Sequence, residues 1–368
     1  MDRRAFVVSG LALAAPMSAA RADEGATTIV VQRNRLVLPG AMIAGSAVRA
    51  VLDTAAGIST ISEGLAGRLG LTGDGSLRIN TIGGPRRAPT IRDVGLHIPG
   101  LAFSPRRWAI MPDSLQPDID CVLGTTSLDR FALRFSRSSL MVNGTIPDGT
   151  ALRIHRARVP LAEFELEGQR FVMVIDTGAT ASSIFDSEAT RLASIAGVGT
   201  ARFTTTGGSA LRALRIPRLT SGDAVIHNAL LRVRPGSSTL RVSGRLVSGL
   251  IGLDLIQHYD WVFSPKGARV SLTSWSGGAP TWIGMGIDFR TDGTDPGRVV
   301  GLADHGPAVA AGVQLGDRIV TLGDVAPLPQ NQSAIDAIAT CGCSERIQIT
   351  VERDNRLLSL SITTAPII

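Results

Sequence analysis

Two aspartates of this chain stand in matching surroundings and could act together on one water molecule. Asp53 and Asp176 each follow two apolar residues and each precede a threonine. A carboxylate can take a proton and a carboxylic acid can give one, so a pair of carboxyls can activate water while protonating a carbonyl oxygen. Two carboxyls in close contact cannot both ionise and therefore share one proton. Hydrolysis of an amide bond is the chemistry that such a pair could perform.

The residues around the two aspartates form an internal repeat, with copies 176 − 53 = 123 residues apart. A single Asp-Thr-Gly is weak evidence, because Asp and Gly are common in turns. Two copies in one frame are a much stronger signal. The segments that align without gaps are Val51-Leu52-Asp53-Thr54-Ala55-Ala56-Gly57-Ile58-Ser59-Thr60-Ile61 and Val174-Ile175-Asp176-Thr177-Gly178-Ala179-Thr180-Ala181-Ser182-Ser183-Ile184.

Further landmarks recur around each copy in the same order. Strand-type sequence with a turn precedes each aspartate, and a helical stretch, a Gly-Gly turn and an apolar run ending in glycine follow it. These landmarks are 63–69, Gly83-Gly84 and Gly124 in the first copy, and 186–194, Gly207-Gly208 and Gly252 in the second. The repeat predicts two similar β-rich lobes, each with a hairpin tip at its Gly-Gly pair.

This order of parts resembles the retropepsin-like aspartic peptidases of the pepsin-like clan, over roughly residues 27–273. The resemblance implies a mainly β fold of two retropepsin-like β-barrel lobes, fused in one chain and related by a pseudo-two-fold axis. Such an axis brings the same residue of each copy together. By resemblance, Asp53 and Asp176 are the catalytic dyad that hydrolyses peptide bonds of a polypeptide substrate, with no cofactor and no metal.

The resemblance also assigns supporting roles to the neighbours of the dyad. In the family, the threonines at positions 54 and 177 hydrogen-bond across the axis, and the glycine at the next position allows close approach of the two loops. Flaps over the substrate are implied at Gly83, Gly84, Gly207 and Gly208.

The first copy departs from the family pattern at one position, where Ala55 replaces the glycine found at Gly178. If this position needs a positive φ, alanine is strained by about 1 kcal/mol. If it does not, the methyl group merely tightens the loop. A catalytically impaired peptide-binding or scaffold protein of the same fold is therefore the alternative to an active endopeptidase.

The last part of the chain, after a linker-like stretch around 274–280, resembles the PDZ domains of bacterial proteases. Three segments carry this resemblance: 285–289, 306–313 and 315–320. PDZ domains bind a chain end as an added strand. The resemblance implies that Gly284, Met285, Gly286 and Ile287 bind the carboxylate of a peptide or protein C-terminus. A groove that is empty, or filled by the protein's own chain, is the alternative.

The N-terminal segment has the features of an export signal. Arg3-Arg4 precedes a modest apolar stretch at 7–16, and small residues precede a plausible cleavage site before Asp23. We expect a periplasmic or secreted bacterial protein. The paired arginines resemble a twin-arginine signal, with an ordinary secretory signal as the alternative. The expected divisions are 1–22 for the signal, 23–148 and 149–275 for the lobes, and 276–368 for the PDZ-like domain.

Several other classes of site are disfavoured by the composition. The five histidines lack metal-ligand spacing and a serine partner in a recognisable elbow, which disfavours zinc and serine hydrolases. The net charge of +6 includes no basic run, so no nucleic-acid partner is expected, and no later stretch is long enough to span a membrane. Three cysteines argue against a disulfide framework. Cys121 is expected to be a buried thiol, and Cys341 and Cys343 to be thiols rather than a disulfide or metal site.

Overall fold

The computed structural model of the chain describes most residues after the N-terminal segment. The described residues are 25–32, 35–81, 84–113, 118–128, 131–135, 139–143, 149–155, 157, 159–179, 181–236, 240–264, 269–274, 283–290, 295–328, 331 and 344–367. The expected signal segment, Cys341 and Cys343 lie outside them.

Short strands make up most of this structure. The strands up to residue 151 are β1 (Gly25–Thr28), β2 (Val30–Gln32), β3 (Arg35–Leu38), β4 (Met42–Ile43), β5 (Ser46–Ala47), β6 (Ala50–Leu52), β7 (Ser59–Ser62), β8 (Gly75–Thr81), β9 (Gly84–Ile91), β10 (Leu96–Ile98), β11 (Leu101–Phe103), β12 (Trp108–Met111), β13 (Cys121–Leu123), β14 (Leu133–Phe135), β15 (Ser139–Val142) and β16 (Thr150–Ala151). The later strands are β17 (Ile154–His155), β18 (Leu161–Leu166), β19 (Gln169–Ile175), β20 (Ser183–Phe185), β21 (Gly199–Thr205), β22 (Gly208–Ser221), β23 (Ala224–Arg234), β24 (Arg241–Val242), β25 (Arg245–Leu246), β26 (Gly249–Ile251), β27 (Tyr259–Phe263), β28 (Val270–Ser274), β29 (Ile283–Gly284), β30 (Ile287–Phe289), β31 (Val299–Ala303), β32 (Arg318–Leu322), β33 (Arg346–Arg353), β34 (Arg356–Thr363) and β35 (Ala365–Pro366).

The helices are short and lie between strands. They are α1 (Glu63–Arg68), α2 (Thr125–Leu128), α3 (Asp186–Ala193), α4 (Leu253–Ile256) and α5 (Pro307–Ala310). The helices predicted at 63–69 and 186–194 are present, and each ends one residue earlier than predicted because Leu69 and Ser194 are C-caps. Among the described residues, no helix combines the length and apolar character needed to cross a membrane.

The first lobe is built on a sheet in the order β2-β3-β6-β13-β7-β12-β9-β8. Strand β13 runs parallel to β6 and antiparallel to β7, with Leu123 opposite Leu52. All residues of β6 and β13 are buried, as expected for the apolar runs that flank the first aspartate. The sheet therefore fixes the chain immediately before Asp53.

The second lobe repeats this arrangement. Its strands follow the order β18-β19-β26-β20-β23-β22-β21, in which β26 lies between β19 and β20, as β13 lies between β6 and β7. Strand β20 is parallel to β23, as β7 is to β12. The repeat in the sequence is therefore a repeat of topology.

A six-stranded sheet joins strands that are distant in sequence, in the order β1-β15-β14-β27-β28-β16. Its central pair is β14 and β27, with Phe135 opposite Trp261. The rings of Phe135 and Phe263 make an edge-to-face contact with centroids 5.3 Å apart, a favourable geometry for aromatic pairs. The internal repeat did not predict this sheet.

The C-terminal domain has its own apolar core. Strands β32, β33 and β34 form one sheet, and β29 pairs with β35. The fully buried core residues include Val299, Leu322, Val351 and Ile362. Asp317, expected to be a turn or cap residue, is 2% exposed and accepts hydrogen bonds from Arg353 at 2.7 Å through both carboxylate oxygens. It is therefore also the buried partner of an ion pair with the partly exposed Arg353.

The chain divides into two compact units. One contains the described residues of 1–161, 175–178 and 259–274, and therefore includes both Asp-Thr pairs. The other contains 162–174, 179–258 and 275–368, and therefore includes the second hairpin together with the C-terminal domain.

Candidate active site

The structure brings Asp53 and Asp176 together, as the sequence predicted. Each aspartate directly follows a strand, β6 or β19, whose last three residues are buried. The backbone N–H of Asp53 donates to the carbonyl oxygen of Leu123, 3.1 Å away, which ties its loop to β13. The side chains of the two aspartates are in hydrogen-bonding contact with each other. Two acidic groups thus meet at one point.

Backbone amides hold one oxygen of each carboxyl group. Oδ1 of Asp53 accepts hydrogen bonds from the N–H groups of Ala55 at 2.8 Å and Ala56 at 2.9 Å. Oδ1 of Asp176 accepts from the N–H group of Gly178 at 2.9 Å. These bonds fix the orientation of both carboxyl groups.

A reciprocal network of threonines joins the two loops. The N–H of Thr54 donates to Oγ1 of Thr177 at 3.0 Å, and the N–H of Thr177 donates to Oγ1 of Thr54 at 3.1 Å. The Thr54 hydroxyl donates to the carbonyl of Ile175 at 2.7 Å, and the Thr177 hydroxyl to that of Leu52 at 2.9 Å. Both side chains are buried, so these bonds are shielded from competing water.

The space beside the residue after each threonine explains why one loop can carry alanine and the other needs glycine. A Cβ atom at Gly178 would lie 2.4 Å from Oδ2 of Asp53, which is closer than real contacts permit. Neither Ala55 nor Gly178 has a positive φ. The backbone strain considered for Ala55 is therefore absent, and the requirement for glycine at 178 is one of space.

Two glycines behind the loops also allow close approach. A Cβ at Gly124 would lie 2.6 Å from the carbonyl oxygen of Ala56, and one at Gly252 would lie 2.6 Å from the carbonyl carbon of Ala181. The apolar runs that end in these glycines therefore pass directly against the loops.

The environment favours a proton on the dyad. Burial raises the pKa of Asp53, and this outweighs the hydrogen bonds from Ala55, Ala56 and Asp176 and the charge of Arg35, all of which lower it. Asp53 still keeps part of its surface accessible to solvent. A carboxyl that holds its proton beside a second carboxyl can act as an acid.

Arg35 is a charged neighbour of the dyad that our sequence interpretation missed. In the register of β3 with β6, Val37 lies opposite Val51 and Leu38 opposite Ala50. Continuing this register by two residues places Arg35 opposite Asp53. Arg35 is half-buried, and its pKa is lowered by burial while the charges of both aspartates act to raise it.

A signal for Arg35 was present in the repeat. Arg158 precedes Asp176 by 176 − 158 = 18 residues, and Arg35 precedes Asp53 by 53 − 35 = 18 residues. Arg158 lies outside the described residues. The alignment that identified the aspartates thus also pairs two arginines, which could have been read as charged neighbours.

A second missed residue is Asp254, which braces the loop after Asp176. Its Oδ1 accepts from the hydroxyl of Ser182 at 2.7 Å, the N–H of Ser182 at 2.8 Å and the N–H of Leu255 at 2.9 Å. Oδ2 is buried and has no hydrogen-bond partner among the described residues. Burial raises the pKa of Asp254.

In the first lobe, the corresponding loop is held by hydrogen bonds between uncharged groups. Ser59 occupies the position of Ser182 in the repeat, and its hydroxyl lies 2.7 Å from that of Ser127. Each of the repeated serines also accepts from the glycine that ends the apolar run, Gly124 at 3.0 Å in the first lobe and Gly252 at 2.9 Å in the second. The two loops are therefore braced alike, except that only the second brace contains a carboxyl group.

Both predicted hairpins are present. In the first, Thr81 pairs with Gly84, and Gly83 lies outside the described residues. In the second, Thr205 pairs with Gly208, and Gly207 lies in the turn between them. Gly208 has a φ of 107°, a conformation that favours glycine.

The structure places the proposed carboxylate-binding loop between β29 and β30. Gly284 ends β29, Met285 and Gly286 form the bend, and Ile287 begins β30. The carbonyl groups of Met285 and Gly286 accept hydrogen bonds from α5 and β31. Strand β35, near the end of the chain, pairs with β29, and a Cβ at Gly286 would lie 3.4 Å from the side chain of Ile367. Residues 365–367 therefore lie beside this loop.

The described ranges contain few other reactive groups. There, no cluster of His, Cys, Asp and Glu could hold a metal ion. Cys121 is a free buried thiol, as predicted, and burial raises its pKa.

Comparison with known families agrees with this geometry. Residues 40–126 and 162–255 match the family described as aspartyl protease, and residues 283–364 match the PDZ domain. A search of curated proteins found no match. The two matched protease segments contain the two Asp-Thr loops, one in each. The chain thus carries the two-lobed arrangement of the aspartyl protease family, followed by a PDZ domain.

Proposed function

We propose that this protein is an exported aspartic endopeptidase that hydrolyses peptide bonds with Asp53, Asp176 and an activated water. The observation that carries the proposal is the contact between the two carboxyl groups, fixed by the reciprocal bonds of Thr54 and Thr177. Rigid placement of both groups is what converts two ordinary acids into a catalytic pair.

The proposed mechanism uses one proton shared by the dyad. The ionised carboxyl takes a proton from the attacking water, while the protonated one donates to the carbonyl oxygen of the substrate. The two groups titrate as a pair, so neither residue is assigned as the base. Backbone donors on Oδ1 of each aspartate hold the two carboxyl groups in the orientation that this mechanism uses.

Substrate handling in this proposal involves the other predicted residues. The hairpins with Gly83, Gly84, Gly207 and Gly208 serve as flaps that close over an extended polypeptide and exclude water. The loop of Gly284–Ile287 binds a polypeptide C-terminus beside β30. Export to the periplasm or the exterior is proposed from the N-terminal segment alone, with the twin-arginine route favoured.

Single substitutions of the aspartates test the proposal. The mature protein, its Asp53→Asn variant and its Asp176→Asn variant are assayed on a mixed peptide library from about pH 3 to about pH 7. We expect cleavage by the wild type, and a loss of roughly a thousandfold or more in either variant. Cleavage that survives either change would exclude the dyad.

The rival function, a catalytically impaired peptide-binding protein, predicts no cleavage by the wild type at any pH. Peptide binding would then be retained in both variants. The absence of strain at Ala55, together with the carboxyl contact, supports the active form.

A further inference from the structure

The PDZ domain is hydrogen-bonded to the second hairpin as part of one sheet. Strand β31 pairs antiparallel with β21, the first strand of the hairpin, with Thr204 opposite Leu302 and Thr205 opposite Gly301. On its other side β31 pairs with β30, with Ile287 opposite Leu302. Leu302 and Gly301 therefore each face the hairpin on one side and β30 on the other.

Side chains reinforce this pairing next to β31. The hydroxyl of Thr204 donates to Oδ1 of Asp304 at 2.7 Å, and the N–H of Asp304 donates to the carbonyl oxygen of Arg202 at 2.9 Å. Phe203 and Ala303 belong to one small buried cluster. The hairpin is thus held to the PDZ domain by main-chain, polar and apolar contacts.

A bulge in the hairpin directs a charge towards β30. The register of β21 with β22 shifts so that Ala201 pairs with Ala213 and Arg202 with Leu211, which leaves Arg212 as the extra residue. Bulges re-aim side chains. Nη2 of Arg212 lies 3.4 Å from Oδ2 of Asp288 in β30.

A glycine on β31 leaves room for these contacts. A Cβ atom at Gly301 would lie 3.1 Å from Cβ of Asp288 and 3.5 Å from the ring of Phe203. Asp288 of β30 and Phe203 of the hairpin therefore both lie close to Gly301. These contacts add to the hydrogen bonds that each of the two strands makes with β31.

We propose that β31 is the outer support of the second hairpin, with Asp304 as its positioning residue, and that a polypeptide end bound along β30 stabilises the hairpin through this support. In the described residues, β30 is the last strand of the sheet, so a bound strand would extend the same ladder. The proposal rests on the proposed function for its consequence, since the hairpin is taken to be a flap. It links the two proposed activities: a chain end captured by the PDZ domain would order the hairpin that the proposed function takes to be a flap.

Amide hydrogen exchange on the full chain tests the coupling. The protein carries Asp53→Asn so that the probe is not digested, and the probe is a decapeptide ending in Ile-Ile with a free carboxylate; its C-terminal amide is the control. We expect the free acid to slow exchange in β30, β31 and β21 by about fivefold or more, the size of a typical coupling between sites. Failure to bind, or protection confined to β30, overturns the coupling.

Substitutions on each side of the contact test the support. Thr204→Val and Asp304→Ala each remove the 2.7 Å bond, whereas Asp304→Asn keeps an acceptor oxygen. Thr200→Val is the matched control, because Thr200 is also exposed on the same face of β21. We expect faster hairpin exchange in the first two variants only, with β33 and β34 unchanged. If the hairpin amides of Thr204→Val and Asp304→Ala exchange at the same rate as those of the parent protein, the proposed role of Asp304 is wrong.

Cleavage kinetics then separate this proposal from the proposed function. In the protein with Asp53 intact, we expect Thr204→Val and Asp304→Ala to raise KM by about threefold or more with little change in kcat, and Asp304→Asn to restore it. A change in kcat alone contradicts the positioning role. A protein without any peptidase activity would refute the proposed function, while the exchange experiment would still decide the support and the coupling.

Discussion

Gly178 lies so close to Asp53 that a methyl group on its Cα would come within 2.4 Å of the carboxylate oxygen Oδ2. The corresponding residue of the other loop, Ala55, carries such a methyl and adopts a negative φ. The two Asp-Thr loops are therefore related in sequence and in hydrogen bonding, but they are not interchangeable.

The first prediction follows from this contact. Gly178→Ala must displace Asp53 or its own loop, so we expect kcat/KM to fall by about a hundredfold, the cost of misplacing a catalytic group by about an ångström. Ala55→Gly is the matched control, and we expect it to lose only about 0.5–1 kcal/mol of stability while cleaving at nearly the wild-type rate. Equal effects of the two changes on cleavage would contradict the asymmetry.

The second prediction concerns the threonine network. Thr177→Val leaves the N–H of Thr54 and the carbonyl of Leu52 without this partner, at a cost of about 1–3 kcal/mol for each buried group. We expect a lower urea midpoint and a loss of activity. Thr177→Ser keeps the hydroxyl and should restore most of both. A valine variant as stable as the serine variant would show that the network does not hold the loops.

The third prediction concerns the pH profile of cleavage. The positive charge of Arg35 lowers the pKa of Asp53. Its removal in Arg35→Met should therefore move the pH profile of kcat/KM to higher pH, because the dyad keeps its shared proton longer as pH rises. Arg35→Lys preserves the charge and should keep the wild-type profile. An unshifted profile in Arg35→Met would mean that the charge does not act on the dyad.

The fourth prediction concerns stability and Asp254. Burial raises the pKa of this carboxyl above its ordinary value of 3.8, so the folded chain binds its proton more tightly than the unfolded chain does. The stability that the protonated group contributes is complete below that ordinary value and is lost as pH rises towards the raised one.

Asp254→Asn removes this dependence, since asparagine cannot ionise but keeps an acceptor for Ser182. As pH rises above the ordinary pKa of the carboxyl, we expect the wild type to lose more stability than the variant in urea unfolding. Parallel pH curves for the two proteins would show that Asp254 does not titrate in this range.

Much of the fold was predictable because it repeats. The alignment around Asp53 and Asp176 predicted both loops, both hairpins and both buried apolar runs, since each landmark is a short local pattern read twice. The sheet that joins β14 to β27 could not be predicted in this way. Strands β14 and β27 are more than a hundred residues apart and show no periodicity that specifies a partner.

The missed residues were missed for physical reasons. Asp254 acts through tertiary contacts, and an isolated charge in a sequence gives no sign of what it will face. Arg35 was marked only by Arg158 at the matching position of the second copy, and the gapless alignment around the aspartates did not extend that far. The pairing of β31 with β21 could likewise not be predicted from the sequence, because any exposed strand edge can accept another strand. The need for glycine at position 178 was, in contrast, expected from the sequence as a matter of close approach, and the space around its Cα agrees with that reason.

The most direct test of the central claim is a mutant cycle on the two aspartates. The purified mature protein, Asp53→Asn, Asp176→Asn and the double variant are compared by kcat/KM on one cleaved peptide, with folding of each checked by urea unfolding. If the two carboxyls act as one unit, either single change removes nearly all activity and the double variant is no worse than the singles. The shared dyad would be contradicted if the fold-losses in kcat/KM of the two single variants multiplied in the double variant, or if either single variant kept full activity.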